Sequence, residues 1–283
     1  MIAVFLGVLG LCIGSFVCAT VWRLHEQSQL AAKKKLSPAD KTYTKELSIS
    51  KGRSMCGHCK HPLAPKDLVP LFSWLWLRGR CRYCRRPIGA LEPLAELSMA
   101  LLFVLSYIFW PMVWSGQGTF DFIVWLVLLA GFVGLSIYDL KWFLLPDKIV
   151  LPLTILTALK LLVDVTVFRA DLGSILSAAL GALIIGGLFY GLFALSGGRW
   201  IGGGDVKIAV MLGLLAGSPL KALFVIFLSS VLGMLASIPL LVFGKATRSS
   251  HIPFGPFLLA ATVIVVIFGD NIVHAYVVLF VIN

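Results

Sequence analysis

Charge is scarce in this 283-residue chain: 13% of residues carry it, and only 13 are Asp or Glu, against 24 Lys and Arg. That scarcity excludes an ordinary soluble domain. With 59% hydrophobic residues gathered in runs of about 20, the chain reads as a polytopic membrane protein. Strand-like alternation with polar lumen positions is missing too, which excludes a membrane barrel and leaves helices as the spanning elements. The first apolar run, Ile2 to Val21, lacks a basic n-region and an A-x-A-like cleavage site. It is read as a retained first span.

What is there falls into eight apolar runs. They cover about residues 2–21, 94–113, 120–138, 149–163, 174–195, a short 206–216, 220–243 and 256–282. The expected fold is an all-α polytopic membrane protein of about eight transmembrane helices. A small zinc-ribbon-like domain is expected between the first and second. The net charge of +11 suggests nucleic acid until it is located: 15 of the 24 Lys and Arg lie between Trp22 and Arg86. Lys141, Lys148, Arg199, Lys207, Lys245 and Arg248 sit at loops of the same parity, while the opposite loops hold Arg169 and Lys221. The positive-inside rule then puts both termini outside and the large polar segment in the cytoplasm. Asp139, Asp147 and Asp205 fall at the cytoplasmic face, and Asp121, Asp164, Asp171 and Asp270 outside. Residues 26–53 are polar and low in aromatics, and read as a flexible basic insertion near the inner leaflet.

The polar segment holds two C-x-x-C pairs, Cys56/Cys59 and Cys81/Cys84, with 21 residues between them. Each continues alike, Cys-Lys-His-Pro-Leu and Cys-Arg-Arg-Pro-Ile, so the segment is a small internal repeat. Four thiolates in two tight pairs suit tetrahedral zinc, and a cytoplasmic setting disfavours disulfides. A redox dithiol is the rival reading. Four cysteines complete a shell, so His58 and His61 are left out, and a closed site holds a fold without hydrolysing anything. Between the pairs stands an apolar stretch, Val69 to Leu77, which fits a membrane interface or the spans better than a phosphate backbone. No nucleic-acid partner is expected. Cys12 and Cys18 in the first run read as small packing residues.

Asp205 follows Gly202-Gly203-Gly204 at the head of the short sixth run. A carboxylate at a membrane boundary is costly and a functional candidate, and glycines let backbone or substrate approach it. A glycine turn with Asp205 capping the next helix is the plainer reading. Asp139 closes the third run at the same face. Two Asp on neighbouring helices could share one proton, the ionised one activating a water and the protonated one donating to a carbonyl oxygen. Spacing alone leaves open whether they meet. Asp147, after Pro146, has the placement of an N-cap. Glu96 reads as a helix-start or bundle-facing group, and Lys207 as snorkelling to the interface.

Four blocks in order give a resemblance. Gly14-Ser15-Phe16 with Arg23-Leu24, the stretch Cys56 to Glu96, Asp139 with Leu145-Pro146-Asp147, and Gly202-Gly203-Gly204-Asp205-Val206-Lys207 resemble the motifs of the bacterial type IV prepilin peptidase family. These are membrane aspartyl proteases of the GxGD kind that are also N-methyltransferases, and the match spans nearly the whole chain. The resemblance implies that Asp139 and Asp205 are the catalytic pair, supported by Gly202, Gly204 and Lys207. It implies zinc on Cys56, Cys59, Cys81 and Cys84. It implies cleavage of type IV pilin or pseudopilin precursors at the cytoplasmic face of the bacterial inner membrane, followed by methylation of the new amine with S-adenosylmethionine, whose binding residues it does not indicate. The chain departs from the pattern at Cys18, where the family has Asn, and at His25, where it has Pro. Both lie in the half associated with methyl transfer.

The implied domains are a first transmembrane helix at 1–21, a cytoplasmic zinc-binding domain at 22–93 and a seven-helix peptidase domain at 94–283. A proton- or cation-coupled transporter using interfacial Asp residues is the alternative. It would want ionisable groups near the bilayer midplane. A zinc-ribbon scaffold without chemistry is a third reading, in which Asp205→Asn is harmless.

Overall fold

Hydropathy alone requires long helices here, and the computed structural model supplies them. It describes residues 1–33, 37, 43–49, 52–243 and 252–280. Lys245 and Arg248, used above for the topology, lie outside the described residues, as do parts of the 26–53 insertion. Nine α-helices are described. They are α1 (Ile2–Ala31), the five-residue α2 (Phe72–Trp76), α3 (Leu91–Ile108), α4 (Gly116–Trp142), α5 (Asp147–Thr166), α6 (Leu172–Ser196), α7 (Gly203–Ala216), α8 (Pro219–Val242) and α9 (Gly255–Phe280). No strand occurs among the described residues; two isolated antiparallel bridges, Met55–Pro62 and Arg80–Pro87, are the nearest approach. Among the described residues, seven helices are long and apolar enough to cross a membrane. The eighth apolar helix, α7, has 14 residues and rises only about 21 Å, short of a bilayer core of about 30 Å.

The chain divides into two compact units, Met1–Ile108 and Phe109–Asn283. In the first, α1 lies along α3. Gly10 and Gly14 make this possible: a Cβ on Gly10 would stand 2.6 Å from the Ala100 Cα, and one on Gly14 2.7 Å from the Glu96 Cα. Small residues four apart let two membrane helices touch through their backbones. Beyond the apolar run α1 continues through Ala31, ten residues past Val21. Leu30 is buried there, and residues 43–49 fold back on this extension, with Leu47 fully buried. Arg23 ties the return: its guanidinium donates to the carbonyls of Ser48, Ile49 and Gly52 at 3.1–3.2 Å. Gln27 donates to the Leu47 carbonyl at 3.0 Å. The described part of the 26–53 insertion is therefore held to α1, against the flexible segment expected. Three carbonyls on a buried guanidinium are strong, charge-assisted hydrogen bonds.

In the second unit the short α7 sits among α5, α6, α8 and α9. Ile208, Ala209, Met211 and Leu212 on it are fully buried. Gly213 meets the Ala182 backbone of α6 so closely that any Cβ would collide. α4 is the most enclosed of the long helices, with Leu128, Leu129, Phe132 and Leu135 buried. The remaining long helices turn Leu, Val, Ile and Phe outward, as lipid-facing helices do. Loops begin and end by local chemistry. Ser115, Asp171 and Ser218 cap α4, α6 and α8 through their side chains, and left-handed Gly197 and Gly217 close α6 and α7.

Candidate active site and metal centre

Asp139 lies in the last turn of α4 and is buried. The helix ends at once behind it: Phe143 turns left-handed and its N–H bonds back to the Asp139 carbonyl. The carboxylate is held from elsewhere in the chain. Gly255, the first residue of α9, donates its N–H to Asp139 Oδ2 at 3.1 Å. A helix N-terminus offers free N–H groups and the positive end of its dipole, so this is a favourable seat for a carboxylate. It also demands glycine, because a Cβ on Gly255 would fall 2.6 Å from that oxygen.

Asp205 sits in the first turn of α7, itself a helix N-terminus, with Gly202 as N-cap. Its own N–H bonds to the Gly202 carbonyl at 3.1 Å. Asp205 is half-buried, and Leu145, which packs on its neighbour Gly204, also lies beside Gly255 at the Asp139 carboxylate, so the two aspartates are brought to one place. Among the described residues neither carboxylate takes part in an ion pair. The glycines have separate duties. A Cβ on Gly204 would stand 2.9 Å from the Cβ of Leu145, and the same leucine lies beside Gly255. Leu145 thus packs against the backbone flanking both aspartates. A Cβ on Gly202 would sit 3.5 Å from the Asp205 carboxylate.

Asp147 does not cap α5, contrary to its sequence placement: Pro146 is the N-cap, and its side chain has no polar atom to give. Asp147 instead accepts from Lys207 Nζ at 2.6 Å, with both side chains half exposed. Lys207 is therefore committed to Asp147. The far ends of α4 and α5 hold a second acidic pair. Asp121 and Asp164 are buried, and Lys160 stands between them at 3.1 and 2.7 Å.

The cysteine repeat folds as two matching turns. Cys56 N–H donates to the His61 carbonyl and Lys60 N–H to the Cys56 carbonyl. Likewise Cys81 N–H donates to Arg86 and Arg85 N–H to Cys81, all at 2.9–3.0 Å. Lys60 and Arg85 occupy the same left-handed position in each. The turns bring the Sγ atoms of Cys56, Cys59, Cys81 and Cys84 within 4.8 Å of one another, a group that could hold a metal ion. His61 lies outside that group; its ring stacks on Tyr83 at 3.7 Å, joining the two turns. A hydrogen bond from the His61 backbone favours the Cys59 thiolate, but desolvation and the neighbouring Cys56 and Cys84 sulfurs outweigh it and push that thiol up to about 11. A divalent cation reverses this balance, since metal-bound thiols are deprotonated outright. Asp67 braces the second turn by accepting from Arg82 at 2.6 Å.

A family model described as the Bacterial Peptidase A24 N-terminal domain matches residues 8–110, and one described as the Type IV leader peptidase family matches residues 122–238. A protein of Aeromonas hydrophila named prepilin leader peptidase/N-methyltransferase is 35% identical over 272 residues, 94% of this chain and 90% of that protein. The chain belongs to the type IV leader peptidase family. Proteins of the same name from Pseudomonas aeruginosa and Bacillus subtilis are 32% and 29% identical, over 95% and 82% of this chain and 91% and 88% of their own. No solved structure matches. Leader peptidases of this family are aspartic peptidases.

The sequence singles out Asp139, Asp205, Gly202, Gly204 and Lys207. The first four gather at one place, while Lys207 turns to Asp147. Gly255 and Leu145 went unnoticed as neighbours of the aspartates. Gly255 had one signal, the following Pro256, which marks a helix start. Nothing local connects it with a carboxylate 116 residues earlier.

Proposed function

We propose that this chain is a membrane aspartyl endopeptidase that removes the leader of type IV pilin or pseudopilin precursors and then methylates the new N-terminal amine. The observation that supports it most is two carboxylates brought to one place at two helix ends, with no cation paired to either among the described residues. Asp139 and Asp205 are assigned as one acid/base unit. Like charges at short range in an apolar setting hold one proton between them. The ionised carboxylate takes a proton from water as it attacks the scissile carbonyl, and the protonated one donates to the carbonyl oxygen. The Gly255 N–H fixes one oxygen of Asp139, so the pair need not reorganise during the step. Gly202 and Gly204 keep side chains away from Asp205 and let Leu145 close over the site.

The four-cysteine group is assigned to zinc. Its donor set is all thiolate and coordinatively closed, which suits a structural ion. S-adenosylmethionine is the methyl donor that the methyltransferase half requires. The distribution of Lys and Arg supports both termini outside and the zinc-binding segment 22–93 in the cytoplasm, with 1–21 as first span and 94–283 carrying the peptidase. The relatives named prepilin leader peptidase/N-methyltransferase support the substrate class and a place in the bacterial inner membrane.

Intact mass spectrometry of a prepilin after incubation with purified protein and S-adenosylmethionine tests this. Loss of the leader is expected, with a further gain of one methyl mass. Leader loss that persists in Asp205→Asn protein rejects the dyad. No cleavage of any pilin-like substrate rejects the peptidase and returns the interfacial aspartates to the transporter reading.

A further inference from the structure

We propose that a cavity in the first unit is the site that binds the methyl donor, a sulfonium nucleoside. This rests on the methyl-transfer reading above and names its site. The cavity holds about 290 Å³ and lies between α1, the first cysteine turn, α2 and the start of α3. Small-molecule sites begin near this size and are mostly apolar, with a few polar groups converging on them. Its walls fit that description.

Three features point to a cationic, ring-bearing ligand. Glu92 and Glu96 line it from successive turns of α3. Arg23, the one Arg or Lys among the lining residues, spends its guanidinium on the carbonyls of Ser48, Ile49 and Gly52. With two glutamates against one arginine, whose charge its carbonyl partners do not cancel, the cavity keeps an acidic balance suited to a permanent positive charge. Trp74 also forms part of the wall, and its indole N–H is buried with no hydrogen-bond partner. An unsatisfied buried donor beside a flat aromatic surface asks for a ligand that stacks and accepts, as a purine does. Small Ser15 and Ala19 on α1 leave the room. Cys18 is in the same wall. A change at Cys18 therefore bears on the methyl donor and not on the aspartates.

The reaction needs little else from the protein. The freed amine, neutral at its nitrogen, attacks the sulfonium methyl. The N–C bond forms, the S–C electrons return to sulfur as a thioether, and the resulting ammonium releases a proton to water. An acidic wall holds the cationic donor more firmly than the neutral thioether product, which favours turnover.

Equilibrium dialysis of the full-length protein in detergent with S-adenosylmethionine and with S-adenosylhomocysteine tests the assignment. Glu92→Gln should weaken binding of the charged donor at least about tenfold while leaving the neutral product within about threefold. Ala19→Leu, which fills the cavity, should weaken both. Zinc content reports whether each variant keeps its cysteine turns. Ultraviolet cross-linking of methyl-labelled donor to unaltered protein gives a readout independent of any variant. Label on a peptide containing Trp22 or Trp74 is expected. Label confined to residues 109–283, or zinc-loaded Glu92→Gln and Ala19→Leu proteins that bind both ligands normally, overturns the proposal. Failure of the underlying reading shows separately, as unaltered protein that cleaves a prepilin without adding a methyl group.

Discussion

Each end of α4 carries a buried aspartate, and each of these has a second aspartate near it from another helix, yet among the described residues only one pair has a lysine between its members. Asp121 and Asp164 share Lys160, which bridges them at 3.1 and 2.7 Å. Asp139 and Asp205 are brought to one place and, among the described residues, pair with no cation. Eighteen residues of helix, about 27 Å, separate the two sites along α4. A buried acidic pair with a lysine between it is a brace: the lysine joins α5 to α4 and balances one of the two charges. An acidic pair without one has neither charge balanced and must manage a proton. The same residue type on the same helix thus serves packing at one end and is suited to chemistry at the other, and the bridging lysine makes the difference.

The sharpest way to break this contrast is to neutralise one carboxylate at each end. Asp139→Asn or Asp205→Asn should lower prepilin cleavage by about a thousandfold, the scale of a lost general acid or base, with little change in the thermal unfolding midpoint. Asp121→Asn should do the reverse, lowering the midpoint and leaving cleavage at a permissive temperature nearly intact. If Asp121→Asn abolishes cleavage in folded protein, the two pairs are not different in kind. Next in size is the lysine. Lys160→Met leaves two buried carboxylates uncompensated and should cost about 3–5 kcal/mol in denaturant unfolding in micelles. Adding Asp121→Asn and Asp164→Asn to Lys160→Met should restore most of it, because removing a whole buried ionic group costs far less than breaking one.

The parts of this molecule that were legible in the sequence are those that a short window contains. Hydropathy located the eight apolar helices, and the cysteine repeat announced two equivalent turns, because the partners in each turn are six residues apart or fewer. Hydropathy failed at the end of α1, since it measures how much helix lipid covers and not how much helix there is. Glu26-Gln27-Ser28-Gln29 has no apolar run, but α1 continues through it and is held by Arg23 and Gln27. It failed for Asp147 because a residue after proline looks like a cap, whereas its partner Lys207 lies 60 positions away. Lys160 was hidden for the opposite reason: within an apolar run a lone lysine says nothing of which acids it meets. The neighbours of Asp139 come from the starts of α7 and α9, and no local pattern shows that three helix ends converge.

Gly255 tests that convergence with a smaller change. It stands between the two classes of residue, touching Asp139 yet carrying no side chain of its own. Gly255→Ala would put a methyl 2.6 Å from Asp139 Oδ2. Either the carboxylate or the start of α9 must shift, at a cost of about 1–3 kcal/mol. If the shift falls on the carboxylate, that is roughly five- to hundredfold in cleavage rate. A loss in kcat with KM unchanged would mean that the hydrogen bond positions the acid/base unit, and an unchanged rate would mean that Asp139 tolerates a looser seat.

The smallest expected effect belongs to Lys207. It lies in the same short helix turn as Asp205, and a lysine there invites the idea that it tunes the pair. Its ammonium is instead 2.6 Å from Asp147, with both side chains half exposed. An exposed pair of this kind contributes less than about 1 kcal/mol and is screened by salt. Lys207→Gln should therefore change cleavage by no more than about threefold and make the residual rate less dependent on ionic strength. Asp147→Asn should do the same, and the double variant should add nothing, because both changes remove one interaction. A large loss in Lys207→Gln with none in Asp147→Asn would separate the two residues and give the Asp139–Asp205 site a cation after all, erasing the difference between the two ends of α4.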